Sequence, residues 1–238
     1  VLGRARPRMA VFDDGKPRNA GVPHAYGFLG HDGIAGEELL RLGRAEVAVY
    51  GVAVHDARVT EIVPLAGDRF SVVTAGGAFS ARAVILATGL RDHLPPIEGL
   101  DEIWGVDAAE CPYCHGWEVR DRAIGVVGST DKLARVAPLL TVWSRDVMVI
   151  SADAARFGAG DQARMRAAGV QVEPTAVARF ATTNGRLRAV VLVDGREITR
   201  DAIFVAMPTR AASELAARLC DVDPNGFAIV DGEGRTSV

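Results

Sequence analysis

Two cysteines separated by two residues are the part of this sequence best suited to chemistry. Residues 111–118 read Cys-Pro-Tyr-Cys-His-Gly-Trp-Glu, so a proline lies between Cys111 and Cys114, and His115 follows directly. One helical turn would bring the two sulfurs close enough to form a disulfide. The thiolate is the reactive form of cysteine, and a helix N-terminus lowers the pKa of the first thiol in such a pair. Because His115 adds a group that exchanges protons near physiological pH, the pattern predicts a redox switch that passes two electrons.

Three other interpretations of the same residues compete with a redox pair. Cys-x-x-Cys-His is also the attachment pattern of haem c, although that chemistry goes with export, and no charged-then-apolar leader opens this sequence. A zinc site needs about four ligands, and the only further cysteine, Cys220, has no second Cys-x-x-Cys or His-x₃-His beside it. Two ordinary buried cysteines are the third alternative, and the adjoining proline and histidine count against it. We predict no metal site.

The flanking sequence indicates two α/β units around the cysteines. Upstream, residues 83–89 form an apolar run ending in Thr88 and Gly89, which predicts a buried strand and then a loop that passes close to something flat or bulky. Downstream, residues 123–128, 131–142 and 146–150 predict a strand, a helix and a second strand, which is the βαβ unit of nucleotide-binding domains.

Five strings together carry a family resemblance. They are Val-Phe-Asp-Asp-Gly-Lys-Pro-Arg-Asn at 11–19, Gly-Phe-Leu-Gly-His-Asp-Gly at 27–33, Ile-Leu-Ala-Thr-Gly at 85–89, the cysteine string at 111–118 and Asp-Gly-Glu-Gly-Arg-Thr-Ser-Val at 231–238. Residues 8–238 thereby resemble the thioredoxin reductase family of flavin-dependent disulfide oxidoreductases, in particular the branch with the gliotoxin and holomycin dithiol oxidases. Family members begin with a Gly-x-Gly-x-x-Gly turn for FAD and end with a flavin-contacting segment. This sequence has neither, so we expect a fragment.

The resemblance implies an α/β fold of two Rossmann-like, FAD- and NAD(P)-binding domains, with the second inserted into the first. We predict an incomplete FAD-binding domain over 1–106, an NAD(P)-binding-like domain with the cysteines over 107–208, and a return to the first domain over 209–238. Local patterns predict helices over 34–50 and 161–168, a loop over 14–33, and strands at 9–12, 52–63, 69–74, 170–172, 187–193 and 203–205.

The predicted nucleotide turn of the second domain departs from the pattern that binds pyridine nucleotides. Such a site needs Gly-x-Gly-x-x-Gly/Ala, so that backbone amides at the helix start can approach phosphate. After Gly128, Thr130 replaces the second glycine, Leu133 replaces the small third residue, and Asp131 adds negative charge where phosphate would lie. NAD(P)H use stays open, and a turn kept only for the fold is favoured.

The resemblance also implies roles for individual residues. Cys114 would be the sulfur beside the flavin, and Cys111 the interchange thiol that meets the substrate. His115 stands where reductases of this family carry a proton-shuttling aspartate; alternatively it is a polar helix residue facing solvent. The residues implied or considered as cofactor contacts are Asp13, Asp14, Gly15, Arg18, Asn19, Ala57, Thr88, Gly89, Gly125 and Gly128. Asp13 is the acid that ends a strand and accepts hydrogen bonds from a ribose. Cys220 follows a helical stretch and is expected in the core.

Composition agrees with a cytoplasmic enzyme. Apolar residues make up 49% and charged residues 24% of the chain, as in globular proteins. With 27 basic and 30 acidic residues the net charge is −3, which gives no electrostatic reason to expect nucleic acid or an anionic membrane. No apolar run approaches the roughly 18 residues of a membrane span. Three cysteines, two of them in the motif, fit a reducing compartment, and we expect a homodimer.

The leading functional prediction is an FAD-dependent oxidoreductase that exchanges electrons between flavin and a disulfide or dithiol through Cys111 and Cys114. Its partner would be a small dithiol or disulfide compound, or a thioredoxin-like protein. One alternative is a dithiol oxidase that uses oxygen without NAD(P)H. An alternative of another class is a non-catalytic remnant of a nucleotide-binding fold.

Overall fold

A computed structural model describes residues 1–5, 8–20 and 22–238 of the chain. The α-helices in these ranges are α1 (Gly36–Val49), α2 (Leu100–Ile103), α3 (Pro112–His115), α4 (Thr130–Leu140), α5 (Ala159–Ala167) and α6 (Leu215–Leu219), with 3₁₀ turns at Gly3–Ala5 and Ala152–Arg156. The strands are β1 (Ala10–Asp13), β2 (Ala53–Asp56), β3 (Val59–Leu65), β4 (Arg69–Thr74), β5 (Gly77–Ala81), β6 (Leu90–Asp92), β7 (Ala108–Ala109), β8 (Ile124–Gly128), β9 (Val147–Ile150), β10 (Gln171–Glu173), β11 (Val177–Thr183), β12 (Arg186–Leu192), β13 (Glu197–Ile198), β14 (Ala202–Ala206) and β15 (Thr209–Ala211).

The chain divides into two compact units. The first contains the described residues of Val1–Ala20 together with Ile34–Arg91 and Thr209–Val238, and the second contains 22–33 and Asp92–Pro208. The structural units divide at 91/92 and 208/209. The predicted domain limit at 106/107 lies later in the chain than the first of these, whereas the predicted limit at 208/209 is the same as the second. The assignment of the two units to FAD and NAD(P) stays a prediction.

A five-stranded parallel sheet is the centre of the second unit. Its order is β10-β9-β8-β14-β7, and β8, α4 and β9 form the predicted βαβ unit. Every residue of β14 is buried, as expected for a central parallel strand that is covered on both faces. Alternate residues point to opposite faces. Phe204 joins the cluster that contains α4, whereas Ile203 and Val205 join the cluster that contains the antiparallel strands β11 and β12.

The first unit is built from smaller sheets. Strands β1 and β2 pair in parallel, with α1 as the crossover between them, because parallel neighbours need a long connection. Strands β3, β4 and β5 form an antiparallel meander, and β6 pairs with β15. The segment predicted as one strand over 52–63 is divided between β2 and β3. The buried apolar residues of the first unit include Val52, Ile62 and Val72.

The prediction of a buried strand over residues 83–89 is wrong. The segment has no strand structure and is mostly exposed, with 71% of Ile85 accessible. An apolar run becomes a strand only where a neighbour pairs with its backbone groups, and within the described residues no strand pairs with this one.

Every helix in the described ranges is too short or too polar to cross a lipid bilayer.

Candidate active site

Cys111 and Cys114 form a disulfide at the start of α3, with their Cα atoms 5.3 Å apart. The predicted bridging geometry is therefore confirmed. Cys111 is the N-cap residue, and its Sγ accepts the backbone N–H of Cys114 over 3.2 Å. Pro112 occupies the first helical position, where its fixed φ suits the helix and its missing N–H is not needed. Cys114 is exposed and Cys111 is half-buried, whereas Cys220, in the other unit, is free and half-buried.

The imidazole of His115 is withdrawn from solvent. Both ring nitrogens are buried, and neither has a hydrogen-bond partner among the described residues. Burial lowers the pKa of His115, because it disfavours the imidazolium, and the Glu118 carboxylate and the Cys111 backbone only partly oppose this effect. The lowered pKa leaves the imidazole neutral at pH 7. As a residue His115 is half-buried, and its role stays a prediction.

Aromatic packing fixes the disulfide turn on its own unit. The rings of Tyr113 and Trp143 meet edge to face with centroids 5.6 Å apart. A Cβ atom at Gly116 would lie 2.6 Å from both the Trp143 ring and the Pro112 carbonyl oxygen, so only glycine fits there. On the exposed side, the Arg120 guanidinium stacks 4.1 Å from the centre of the Trp117 ring. Sequence reasoning did not find Trp143, since nothing local links it to residues 111–118.

Ser129 and Lys132, in the turn between β8 and α4, form hydrogen bonds within the fold. The backbone N–H of Ser129 donates to the carbonyl of Ala206 over 2.8 Å, and its hydroxyl donates to the same oxygen over 3.3 Å. The ammonium of Lys132 donates to the carbonyl of Met207. Leu133, where a small residue is expected, is fully buried in the core. A Cβ at Gly128 would collide with the Ala206 carbonyl, so this glycine is required by the approach of β14.

A cavity of about 380 Å³ adjoins this turn at the carboxyl ends of β8, β9 and β14. Its lining includes Gly128, Ser129, Ser151 and Met207, and it has the position at which parallel α/β sheets bind nucleotides. Two donors that could meet a pyrophosphate there, the Ser129 amide and the Lys132 ammonium, already have carbonyl partners. Within the described ranges, no cluster of three His, Cys, Asp or Glu side chains could hold a metal ion.

Asp13 has the geometry expected of a ribose-binding acid at the end of β1. Its Oδ1 accepts the backbone N–H of Gly15 over 2.9 Å, and its Oδ2 accepts Nη2 of Arg44 over 2.7 Å. Gly15 adopts a positive φ of 69° to make this turn. The Gly15 N–H first and Arg44 second lower the pKa of Asp13. Asp13 is therefore an ionised acceptor, and its contact with the ribose of FAD stays a prediction. Sequence reasoning did not find Arg44, which comes from α1.

The other predicted FAD contacts lie in the first unit. Asp14 is exposed and accepts the Lys16 N–H over 3.3 Å. The backbone N–H of Ala57 already donates to the backbone carbonyl of Asp13 over 3.0 Å.

Arg18 is exposed in the loop after β1, where Asn19 approaches Gly36 at the start of α1. Thr88 and Gly89 lie in the irregular segment, and the Gly89 carbonyl accepts the Ala212 N–H over 3.1 Å. The structure therefore gathers Asp13, Gly15 and Ala57 at one edge.

Gly125 lies inside β8 rather than in the turn. A Cβ there would stand 2.8 Å from Cδ1 of Ile203. The absence of a side chain at Gly125 leaves room for Ile203 in the core. Cys111, Cys114 and His115 share one turn elsewhere in the same unit. The predicted cofactor contacts at Gly125 and Gly128 stay predictions.

Comparison with known proteins agrees with this geometry. Residues 2–238 match the family described as pyridine nucleotide-disulphide oxidoreductase. The chain belongs to this family. The thioredoxin reductase tcpT of Claviceps purpurea is 28% identical, and the match covers 95% of this chain and 74% of that protein. The bifunctional thioredoxin reductase/thioredoxin of Mycobacterium leprae is 31% identical over 84% of this chain and 45% of its own length. A probable thioredoxin reductase of Arthroderma benhamiae is 35% identical over 53% of this chain.

Solved structures share the fold over nearly the whole chain. The crystal structure of HlmI superposes with a TM-score of 0.92 and 39% identity, covering 100% of this chain and 76% of that one. A putative thioredoxin reductase TrxB of Bacillus anthracis gives a TM-score of 0.89 at 28% identity, covering 99% and 80%. The chain spans only 33% of the Arthroderma protein's length. The relatives of thioredoxin reductase type are FAD-dependent flavoproteins.

Proposed function

We propose that this chain forms the redox core of an FAD-dependent oxidoreductase that passes electrons between flavin and a small dithiol or disulfide through Cys111 and Cys114. The observation that carries the proposal is the disulfide itself, with an exposed Cys114 and a buried imidazole in the same turn. A purely structural disulfide needs no neighbouring base. A thioredoxin-like protein is the alternative partner.

The thiol half-reaction follows from ordinary thiol–disulfide exchange. One substrate thiolate attacks the Cys111 sulfur, so that a substrate–Cys111 disulfide forms, the Cys111–Cys114 bond breaks and Cys114 leaves as thiolate. The second substrate thiol then attacks the substrate sulfur of the mixed disulfide. This releases the substrate as a disulfide and leaves Cys111 reduced, so two electrons have passed to the cysteine pair.

His115 is the proton acceptor in this proposal. An imidazole with a lowered pKa is unprotonated at neutral pH, and in this proposal it accepts the thiol proton once substrate binding has opened the turn to its ring nitrogens. The Cys114 N–H that donates to the Cys111 sulfur would stabilise negative charge there after reduction. When bound, FAD supplies the two-electron acceptor that returns the pair to the disulfide.

The β8–α4 turn favours oxidation of a dithiol over reduction by NAD(P)H. The Ser129 amide and the Lys132 ammonium are bonded to carbonyls of the adjoining strand end, and the buried Leu133 fills the helix–strand contact. A phosphate would have to displace these bonds. We therefore propose oxygen as the terminal electron acceptor, with a nicotinamide-driven reductase as the alternative outcome of the test.

Anaerobic mixing of the intact, flavin-loaded protein with dithiothreitol, NADPH or NADH tests the redox role of the cysteines and the oxidase direction. We expect dithiothreitol to bleach the flavin band readily, NADPH and NADH to bleach it slowly, and air to restore it with release of hydrogen peroxide. Fast bleaching by NADPH would overturn the oxidase direction. Absence of bleaching by dithiothreitol would overturn the redox role of the cysteines.

A further inference from the structure

A guanidinium joins the carboxyl ends of β1 and β2 in the first unit. Arg44, on α1, donates from Nη2 to Oδ2 of Asp13 over 2.7 Å and from Nη1 to Oδ1 of Asp56 over 2.6 Å. Asp13 and Asp56 are partners in the register of the parallel pair. Carboxylates on adjacent strand positions repel one another. The Arg44 guanidinium offsets this repulsion because it lies between the two carboxylates and donates a hydrogen bond to each.

The bridge fixes Asp13 more firmly than Asp56. The Asp13 side chain is 33% exposed, and its second oxygen is held by the Gly15 N–H. The Asp56 side chain is 82% exposed. Arg44 thus orients one carboxylate whose oxygens keep further lone pairs for a ligand, and it balances the charge of the other. The cluster retains one net negative charge, which suits a neutral diol and disfavours a phosphorylated ribose.

We infer that Arg44 is a positioning residue for FAD, acting through Asp13 on the ribose of the adenosine end. An acid at the end of a strand in dinucleotide folds accepts hydrogen bonds from ribose hydroxyls. A carboxylate that is already held at both oxygens loses little freedom when it binds, so orientation before binding raises affinity. The inference rests on the FAD binding of the proposed function, and it concerns affinity rather than electron transfer.

The test measures the Kd of the intact protein, prepared without flavin, for two probes by flavin fluorescence. We expect Arg44→Gln to raise the Kd for FAD by about 10-fold, the scale of one hydrogen bond to a charged group. With an FAD analogue that carries 2′-deoxyadenosine, the same substitution should raise the Kd less than about 2-fold, because effects on one shared contact are not additive. Arg41→Gln is the matched control, since Arg41 lies on the same helix and pairs with Glu38.

The outcomes separate the inference from the function on which it rests. Equal FAD affinity in wild type and Arg44→Gln, or an equal loss for both probes, would overturn the positioning role. Wild-type protein that binds neither probe would instead overturn the proposed function. Urea unfolding verifies that each variant is folded. If Arg44→Gln does not fold, Arg44→Lys replaces it, because lysine keeps the charge but cannot span both carboxylates.

Discussion

The second unit contains two helix starts that carry recognisable sequence patterns, at Cys111 before α3 and at Ser129 before α4. At the first, a sulfur is exposed at Cys114 and a buried imidazole has no hydrogen-bond partner in the described chain. At the second, the Ser129 and Lys132 donors are bonded to carbonyls. A reactive site leaves polar or reactive groups without a partner in the protein, whereas a structural turn bonds its polar groups within the fold. The comparison supports our proposal that the chemistry of this unit belongs to the cysteine turn.

Loss of either sulfur should have the largest effect. In Cys111→Ser and Cys114→Ser, dithiothreitol should bleach the flavin at least roughly 10³-fold more slowly, because the covalent route is removed. Stopped-flow absorbance under anaerobic conditions measures the rate. Cys220→Ser is the matched control and should keep the wild-type rate. Bleaching of Cys111→Ser at the wild-type rate would break the assignment of chemistry to this turn.

Removal of the imidazole should slow the same half-reaction while FAD content stays unchanged. A positioned general base contributes about 10²–10⁴-fold, and His115→Ala should lose a factor in that range. The wild-type rate should also fall with decreasing pH as His115 protonates below its ordinary pKa, and the variant should lack this titration. His93→Ala, an exposed histidine of the same unit, serves as control. An unchanged rate in His115→Ala would return that residue to a structural role.

The α4 turn should respond in stability and not in nucleotide binding. Leu133 is fully buried, so Leu133→Ala should reduce the free energy of unfolding by about 2–5 kcal/mol. The half-buried Leu139 on the same helix should lose less when changed to alanine. Urea denaturation gives the stabilities, and NADPH titration should show no binding in either variant. Tight NADPH binding by Leu133→Ala would show that one side chain alone closes the site.

Burial of neutral His115 should make stability depend weakly on pH. Its pKa is lower in the folded than in the unfolded chain, so below pH 6.5 the unfolded state binds more protons and the free energy of unfolding falls as pH falls. Above that pH the contribution is constant. Urea midpoints from pH 7.5 to 5 should decline more steeply in wild type than in His115→Gln. Parallel curves for the two proteins would contradict the burial of this ring.

Local sequence patterns were enough to predict those features of the site that depend only on neighbouring residues in one turn. Proline after Cys111 and the two-residue spacing suffice for the disulfide geometry, and the βαβ unit follows from apolar runs in residues 123–150. The exposure of 83–89 could not be predicted, because strand formation depends on a pairing partner elsewhere in the chain. Arg44 meets Asp13 only once α1 has crossed from β1 to β2. The burial of His115 likewise depends on packing outside its own turn.

The division of the first unit into separate chain segments sets an order for folding during synthesis. Residues Asp92–Pro208 leave the ribosome before Thr209–Val238, which belongs to the first unit, and domains generally fold as units in the order of their emergence. The sheet of the second unit can form before β15 has been synthesised and can pair with β6. Nascent chains in which Pro208 has just left the ribosome should therefore resist protease over 92–208 while the N-terminal segments remain sensitive, so the cysteine turn would meet cellular oxidants and thiols before Thr209–Val238 has joined the first unit.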